Sequence, residues 1–212
     1  MATLELYYSF RSPYSYLAID RLNTLCKECD VDIDFRIVRP LALREADFFK
    51  NGRPQFVPYL LQDVRRESQR LGIAFGLPKP DPIVMDLANG FVPKEQPYFD
   101  LLLSTGGAAA LRGEGVRFAS AIGAAIWGGR EDWHLDDNMR DILGDAGLNF
   151  DILKSDGASR AADIAAMVEK NEAAQLVHHW GVPLMVYDNE PFFGQDRVGA
   201  LRWRFDQLGL CQ

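Results

Sequence analysis

The sequence predicts a split α+β fold: strand, helix and strand at the start, a hairpin and a helix at the end, and helices between them. Three observations carry this reading. Apolar and polar residues alternate through Val31-Asp32-Ile33-Asp34-Phe35-Arg36-Ile37, the period of a half-buried strand. Tyr14, Leu17, Ala18, Leu22 and Leu25 recur at helical spacing just before it. Near the other end, Leu184-Met185-Val186-Tyr187, the tight turn Asp188-Asn189-Glu190 and Phe192-Phe193 read as a hairpin. The outer pieces, residues 1–40 and 176–212, then share one sheet and form one domain. Residues 41–175 form an all-helical insertion.

In chain order, residues 4–9 are a short leucine- and tyrosine-rich strand. Arg11-Ser12-Pro13 follows, with serine as N-cap and proline in the first turn of a helix that runs to about Cys29. A helix between two consecutive strands implies a right-handed crossover and a parallel pair. In the insertion, Phe56, Leu60, Val64 and Leu71 share one helical face, as do Leu111, Phe118, Ile122 and Ile126. Met139, Ile142 and Leu143 mark a shorter helix ending near Gly147, and Ile164, Ala165 and Val168 another. Residues 76–97 hold five of the eleven prolines and read as an ordered loop. Residues 176–180 look like a helix end closed by Gly181. Gln195-Asp196 opens a last helix with Val198, Leu201, Phe205 and Leu208 on one face.

The chain has 212 residues, a formal net charge of -7 and a pI of about 5.0, a poor match for a phosphate backbone. Arg65, Arg66 and Arg70 are the densest basic group. No run reaches roughly 18 apolar residues, so no membrane span is expected. The start lacks a basic segment followed by a long apolar one, so no signal peptide is expected and the cytoplasm is the default.

Three motifs stand where chemistry is easiest to build. Ser12-Pro13-Tyr14-Ser15 lies where a strand turns into a helix, with unpaired N–H groups and the positive end of the dipole, a setting that stabilises an anion or a thiolate. The plain alternative is a capping serine. Gly181-Val182-Pro183 enters the third strand; a cis bond there leaves the Val182 backbone free for an extended peptide, whereas a trans proline is merely a tolerated strand start. Gln195 and Asp196 open the last helix. They suit a ligand bearing both ammonium and carboxylate, or Asp196 is a first-turn acid favoured by the dipole.

Taken together, Ser12-Pro13-Tyr14-Ser15-Tyr16, Gly181-Val182-Pro183 and Phe192-Phe193-Gly194-Gln195-Asp196-Arg197 resemble the 2-hydroxychromene-2-carboxylate isomerases, relatives of the kappa-class glutathione transferases. The resemblance implies a thioredoxin fold split by a helical insertion, with glutathione as thiol cofactor. It gives Ser12 to the glutathione sulfur, the Val182 backbone to the cysteinyl unit, Pro183 to the cis-proline, and Gln195 and Asp196 to the γ-glutamyl group. Arg53 falls where the family has an asparagine, and the family's lysine is missing from the stretch around Val57-Pro58-Tyr59. The implied activity is isomerisation by reversible thiolate addition to a conjugated alkene. The expected partners are a small aromatic or conjugated-carbonyl substrate and a second copy of the chain in a homodimer. A kappa-type transferase or peroxidase, and a non-catalytic peptide-binding module, are the competing readings.

Other features are set aside. Cys26-Lys27-Glu28-Cys29 lies near the helix C-terminus, where the dipole disfavours a thiolate, so both cysteines read as ordinary helix residues. His178-His179-Trp180 borders Val182: it reads as a helix end with a partly buried ring, the alternative being that one of its side chains approaches the site, and three scattered histidines make no metal site. There is no dinucleotide fingerprint and no P-loop.

Overall fold

The structure, a computed structural model, describes residues 2–45, 47–49, 51–86 and 90–211. Strand β1 (Ala2–Tyr8), helix α1 (Pro13–Glu28) and strand β2 (Val31–Ile37) form the first unit, and β1 and β2 pair in parallel from Ala2 opposite Val31 to Tyr8 opposite Ile37. The hairpin β3 (Leu184–Tyr187) and β4 (Glu190–Phe193) completes a sheet of order β2-β1-β3-β4, with β3 antiparallel to β1. Asp188 and Asn189 both take positive φ, as a two-residue hairpin turn between right-twisted strands requires. Between the two units run α2 (Leu41–Arg44), α3 (Phe56–Leu71), α4 (Pro97–Leu111), α5 (Gly115–Trp127), α6 (Asp136–Asp145), α7 (Phe150–Ser159) and α8 (Ala161–His178). A 3-10 turn, Gln195–Arg197, leads into α9 (Val198–Gln207).

Alternation along β1 assigns its side chains to two layers. Leu4, Leu6 and Tyr8 point into the large core with Leu17, Leu22, Phe118, Ile122 and Phe205, beneath α1, α5 and α9. Tyr7 points the other way and packs with Val38, Leu184 and Val186 against Ala174 of α8. The sheet is therefore covered on both faces.

Four sequence readings are corrected. Leu111 does not share a helix with Phe118, Ile122 and Ile126: it ends α4, and the chain turns at Gly113, whose φ of +75° suits a residue without a side chain, before α5 begins. Leu208 caps α9 from outside and is exposed instead of completing the buried face. Gly181 does not close α8; His179, extended, does. Cys29 is not an ordinary helix cysteine, because it forms a disulfide with Cys211 that ties the end of α1 to the chain's last described residue. Its neighbour Cys26 stays a free, buried thiol, and burial, helped by the Asp32 charge, pushes its pKa up to about 12. The basic group on α3 is largely answered on its own helix, where Arg66 faces Asp63 and Arg70 binds Glu67. No helix among the described residues is long and apolar enough to cross a membrane.

Candidate functional site

The turn from β1 into α1 is closed by the Ser12 N–H, which donates to the Ser9 carbonyl at 3.0 Å. Ser12 has extended backbone angles and caps α1: its Oγ accepts the Ser15 N–H at 3.1 Å. That bond uses a lone pair only, so the hydroxyl proton remains available to an acceptor in front of the helix. Ser12 is half-buried and lines a cavity of about 190 Å³. The far walls are aromatic and come from the insertion, the loop before β3 and the end of β4: Phe48, Phe49, Phe56, Trp180 and Phe193.

Across this cavity Val182–Pro183 is cis. The Pro183 carbonyl accepts the Gly194 N–H at 2.9 Å, whereas the N–H and C=O of Val182 take no hydrogen bond among the described residues. Buried polar residues hold the loop in place. Gln175 of α8 donates from Nε2 to the Gly181 carbonyl at 2.8 Å, and Arg44 of α2 donates to Gln175 Oε1 at 2.9 Å. A β-carbon on Gly181 would lie 2.5 Å from the Phe193 ring, so only glycine permits that contact.

His179 completes the loop. Its ring stacks on Phe193 with centroids 3.8 Å apart, and its Nδ1 accepts the Gly181 N–H at 2.9 Å. An imidazolium cannot accept this bond, and burial holds the ring's pKa below the ordinary histidine value. The folded chain therefore binds this proton less readily than the unfolded chain. His179's contribution to stability is complete above the ordinary histidine pKa of about 6.5 and is lost as pH falls through the lower folded value. His179→Asn keeps an acceptor without a titrating group, so its melting temperature is expected to fall less than the wild type's on acidification from neutral pH. Parallel curves in a melting series would remove His179 from the loop's pH response.

A second cavity, of about 500 Å³, meets the first along Tyr14, Val182 and Phe193. Asp63, Glu67, Arg70, Gln195 and Asp196 line it. Tyr14 donates its hydroxyl to Asp63 at 2.8 Å, and its own pKa is pushed up, first by burial and then by that bond. Gln195 is 4% exposed and engaged at both ends of its amide: Nε2 donates to Glu67 at 2.8 Å, while Oε1 and the carbonyl accept from Arg21 at 2.8 and 3.0 Å. Arg70, and then Gln195, hold the Glu67 carboxyl well below the usual range, at about 2. Asp196 is exposed, 3.7 Å from Arg197.

The structure thus brings Ser12 and Val182 to one cavity and Gln195 and Asp196 to its neighbour, with Val182 shared; Pro183 sets the cis bond beside Val182 but does not itself line either cavity. Arg53 is not among them. It is exposed in a third, open cavity that touches the first only through Phe48, Phe56 and Trp180. Sequence reasoning missed Tyr14, Glu67, Phe48 and Phe49 as parts of the site. Phe48 and Phe49 follow no period, and only the fold of the insertion turns them, with the Phe56 and Leu60 face of α3, toward Ser12.

A first helix that opens on serine with no cysteine beside it, facing a cis-proline at the entrance to an inner strand of a four-stranded sheet, defines a thioredoxin-fold protein without the redox pair at that position. The chain belongs to the DsbA-like thioredoxin domain family, which matches residues 3–206. Among solved structures the chain is similar to a 2-hydroxychromene-2-carboxylate isomerase, at 23% identity and a TM-score of 0.67 over 97% of this chain and 95% of that one. It is also similar to a probable DsbA oxidoreductase from Streptomyces coelicolor, at 17% identity and a TM-score of 0.66 over 98% and 89% of the two chains. A third likeness is the cytosolic disulfide reductase DsbM from Pseudomonas aeruginosa solved with GSH, at 14% identity and a TM-score of 0.61 over 97% and 98%. At these identities the likenesses show the fold. Among curated proteins, none matches.

Proposed function

We propose that the chain is a glutathione-dependent isomerase of the 2-hydroxychromene-2-carboxylate type. The observation that carries this reading is Ser12, a hydroxyl with its proton unspent at the amino end of α1, across a cavity from the open backbone of Val182. The donor set fits glutathione. Ser12 and the helix dipole suit a thiolate. The free N–H and C=O of Val182 suit an extended peptide unit. The Asp196 carboxylate suits the α-ammonium of a γ-glutamyl group. When bound, glutathione supplies a thiol nucleophile for reversible addition to an alkene conjugated with a carbonyl.

The chain's own residues do the rest. Ser12 donates its O–H toward the sulfur and favours the thiolate over the thiol. The aromatic walls hold a flat apolar substrate beside that point and exclude water, which strengthens the hydrogen bond. The protein's own cysteines take no part: Cys26 is buried at the far end of α1, and Cys29 is bonded to Cys211. This disfavours thiol-disulfide exchange by the chain itself.

One observation favours the kappa-type transferase instead. Arg11, the one arginine lining the Ser12 cavity among the described residues, is engaged by Asp81 through two bonds of 2.8 and 3.2 Å. A neutral apolar electrophile suits that cavity better than a carboxylate.

Calorimetric titration with glutathione tests the shared part of both readings. Binding is expected, and Asp196→Ala is expected to weaken it roughly fivefold, the size of an exposed ion pair. Absence of binding to the wild type would leave the peptide-binding module as the surviving reading. Turnover of aromatic ring-cleavage products against turnover of aryl halides then separates isomerase from transferase.

A further inference from the structure

We infer that His179, in its neutral form, is a positioning residue for the ligand: it holds Gly181, and through Gly181 the backbone of Val182, where an extended peptide can pair with it. This rests on glutathione being the ligand of the cavity.

Val182 lines both cavities, and what it offers a peptide is main chain, its N–H and C=O. A backbone contact is only as precise as the loop that carries it. Three bonds fix this loop. On one side of Val182, the Pro183 carbonyl accepts the Gly194 N–H at 2.9 Å. On the other, both polar groups of Gly181 are taken: Gln175 Nε2 donates to its carbonyl at 2.8 Å, and His179 Nδ1 accepts its N–H at 2.9 Å. Of these partners only His179 titrates near neutrality.

The imidazole is wedged between neighbours. It stacks on Phe193, with centroids 3.8 Å apart, and on Trp180, with centroids 5.2 Å apart. A β-carbon on Gly181 would come within 3.3 Å of the His179 ring, so the ring also packs on the Gly181 backbone. His179 lines neither cavity and acts through Gly181.

A proton on Nδ1 turns the acceptor into a donor, and two N–H groups then face each other. Gly181 moves off the ring, and Val182 moves with it. The charged and titratable groups around the ring are Arg44 of α2, which binds the Trp180 carbonyl, and His178 on α8. Beyond them lie Glu45 and Asp47 beside Trp180, Asp196 next to Arg197, and Glu190 bound by Arg204. Burial, and none of these, lowers the His179 pKa. Affinity is therefore full above the ordinary histidine value of about 6.5 and falls as pH drops through the lower folded value.

The probe is γ-glutamyl-2-aminobutyryl-glycine, glutathione with a methyl group in place of the thiol, so thiolate formation at Ser12 does not enter. It is titrated calorimetrically into the wild type, His179→Asn and His179→Leu at about pH 7.5 and about pH 5, either side of the histidine range. Melting curves check that each free protein is folded at both. Asparagine places an amide oxygen near the position of Nδ1 and does not titrate; leucine fills space without an acceptor. The wild type is expected to bind about fivefold more weakly at the lower pH, the worth of one neutral hydrogen bond. His179→Leu is expected to bind about fivefold more weakly than the wild type at the higher pH, and His179→Asn to recover most of that loss and to weaken less than the wild type on acidification. Wild-type affinity that is equal at both pH values, or that falls no more than that of His179→Asn, overturns the proposal and leaves the glutathione reading standing. So does His179→Leu binding as tightly as the wild type. A wild type that binds neither the probe nor glutathione at the higher pH removes both.

Discussion

Ser12→Ala is expected to lower glutathione-dependent turnover on the order of a hundredfold, the usual result of deleting one hydrogen-bond donor to a developing anion in a dry site. The fold is expected to survive. Ser12 also caps α1, so alanine costs about 1 kcal/mol of stability, and a melting curve should show a small, uniform loss. The two effects separate cleanly because the cap uses the oxygen's lone pair and the chemistry uses its proton. Turnover is measured at saturating glutathione, so that a change in binding does not pass for a change in chemistry. An unchanged rate there would return Ser12 to the role of a capping residue and with it sink the proposed mechanism.

Gln195→Leu is expected to cost about 2–3 kcal/mol of stability with no ligand present, because it removes hydrogen bonds to two charged groups at once. The leucine keeps the volume but leaves the half-buried Arg21 with only the backbone carbonyl of residue 195, and Glu67 with only Arg70. Urea unfolding should show a lower midpoint with an unchanged slope. This differs from the outcome the sequence motif suggests, in which Gln195 meets the γ-glutamyl group and its loss weakens only binding. A variant as stable as the wild type but unable to hold glutathione would restore that ligand role.

Residues 1–37 were readable because each element there repeats a local signal. Val31 to Ile37 alternates, Tyr14 to Leu25 follows the helical period, and the serine and proline that start α1 sit together at 12 and 13. The same holds for the hairpin at Asp188-Asn189. The domain boundary and the homodimer have no such local signature and stand as proposals.

What the sequence by itself determined is the order and type of these elements, the cap at Ser12 and the position of Pro183 at a strand entrance, since each depends on residues a few places apart. Tertiary structure decided the rest. Gln195 meets Arg21 across 174 residues and Glu67 across 128, and Cys29 meets Cys211 across 182. Arg53 reaches only the outer cavity. Such partnerships leave no period in the chain: hydrogen bonding and burial depend on which groups the packed sheet and helices bring within a few ångströms, and sequence spacing does not record that distance.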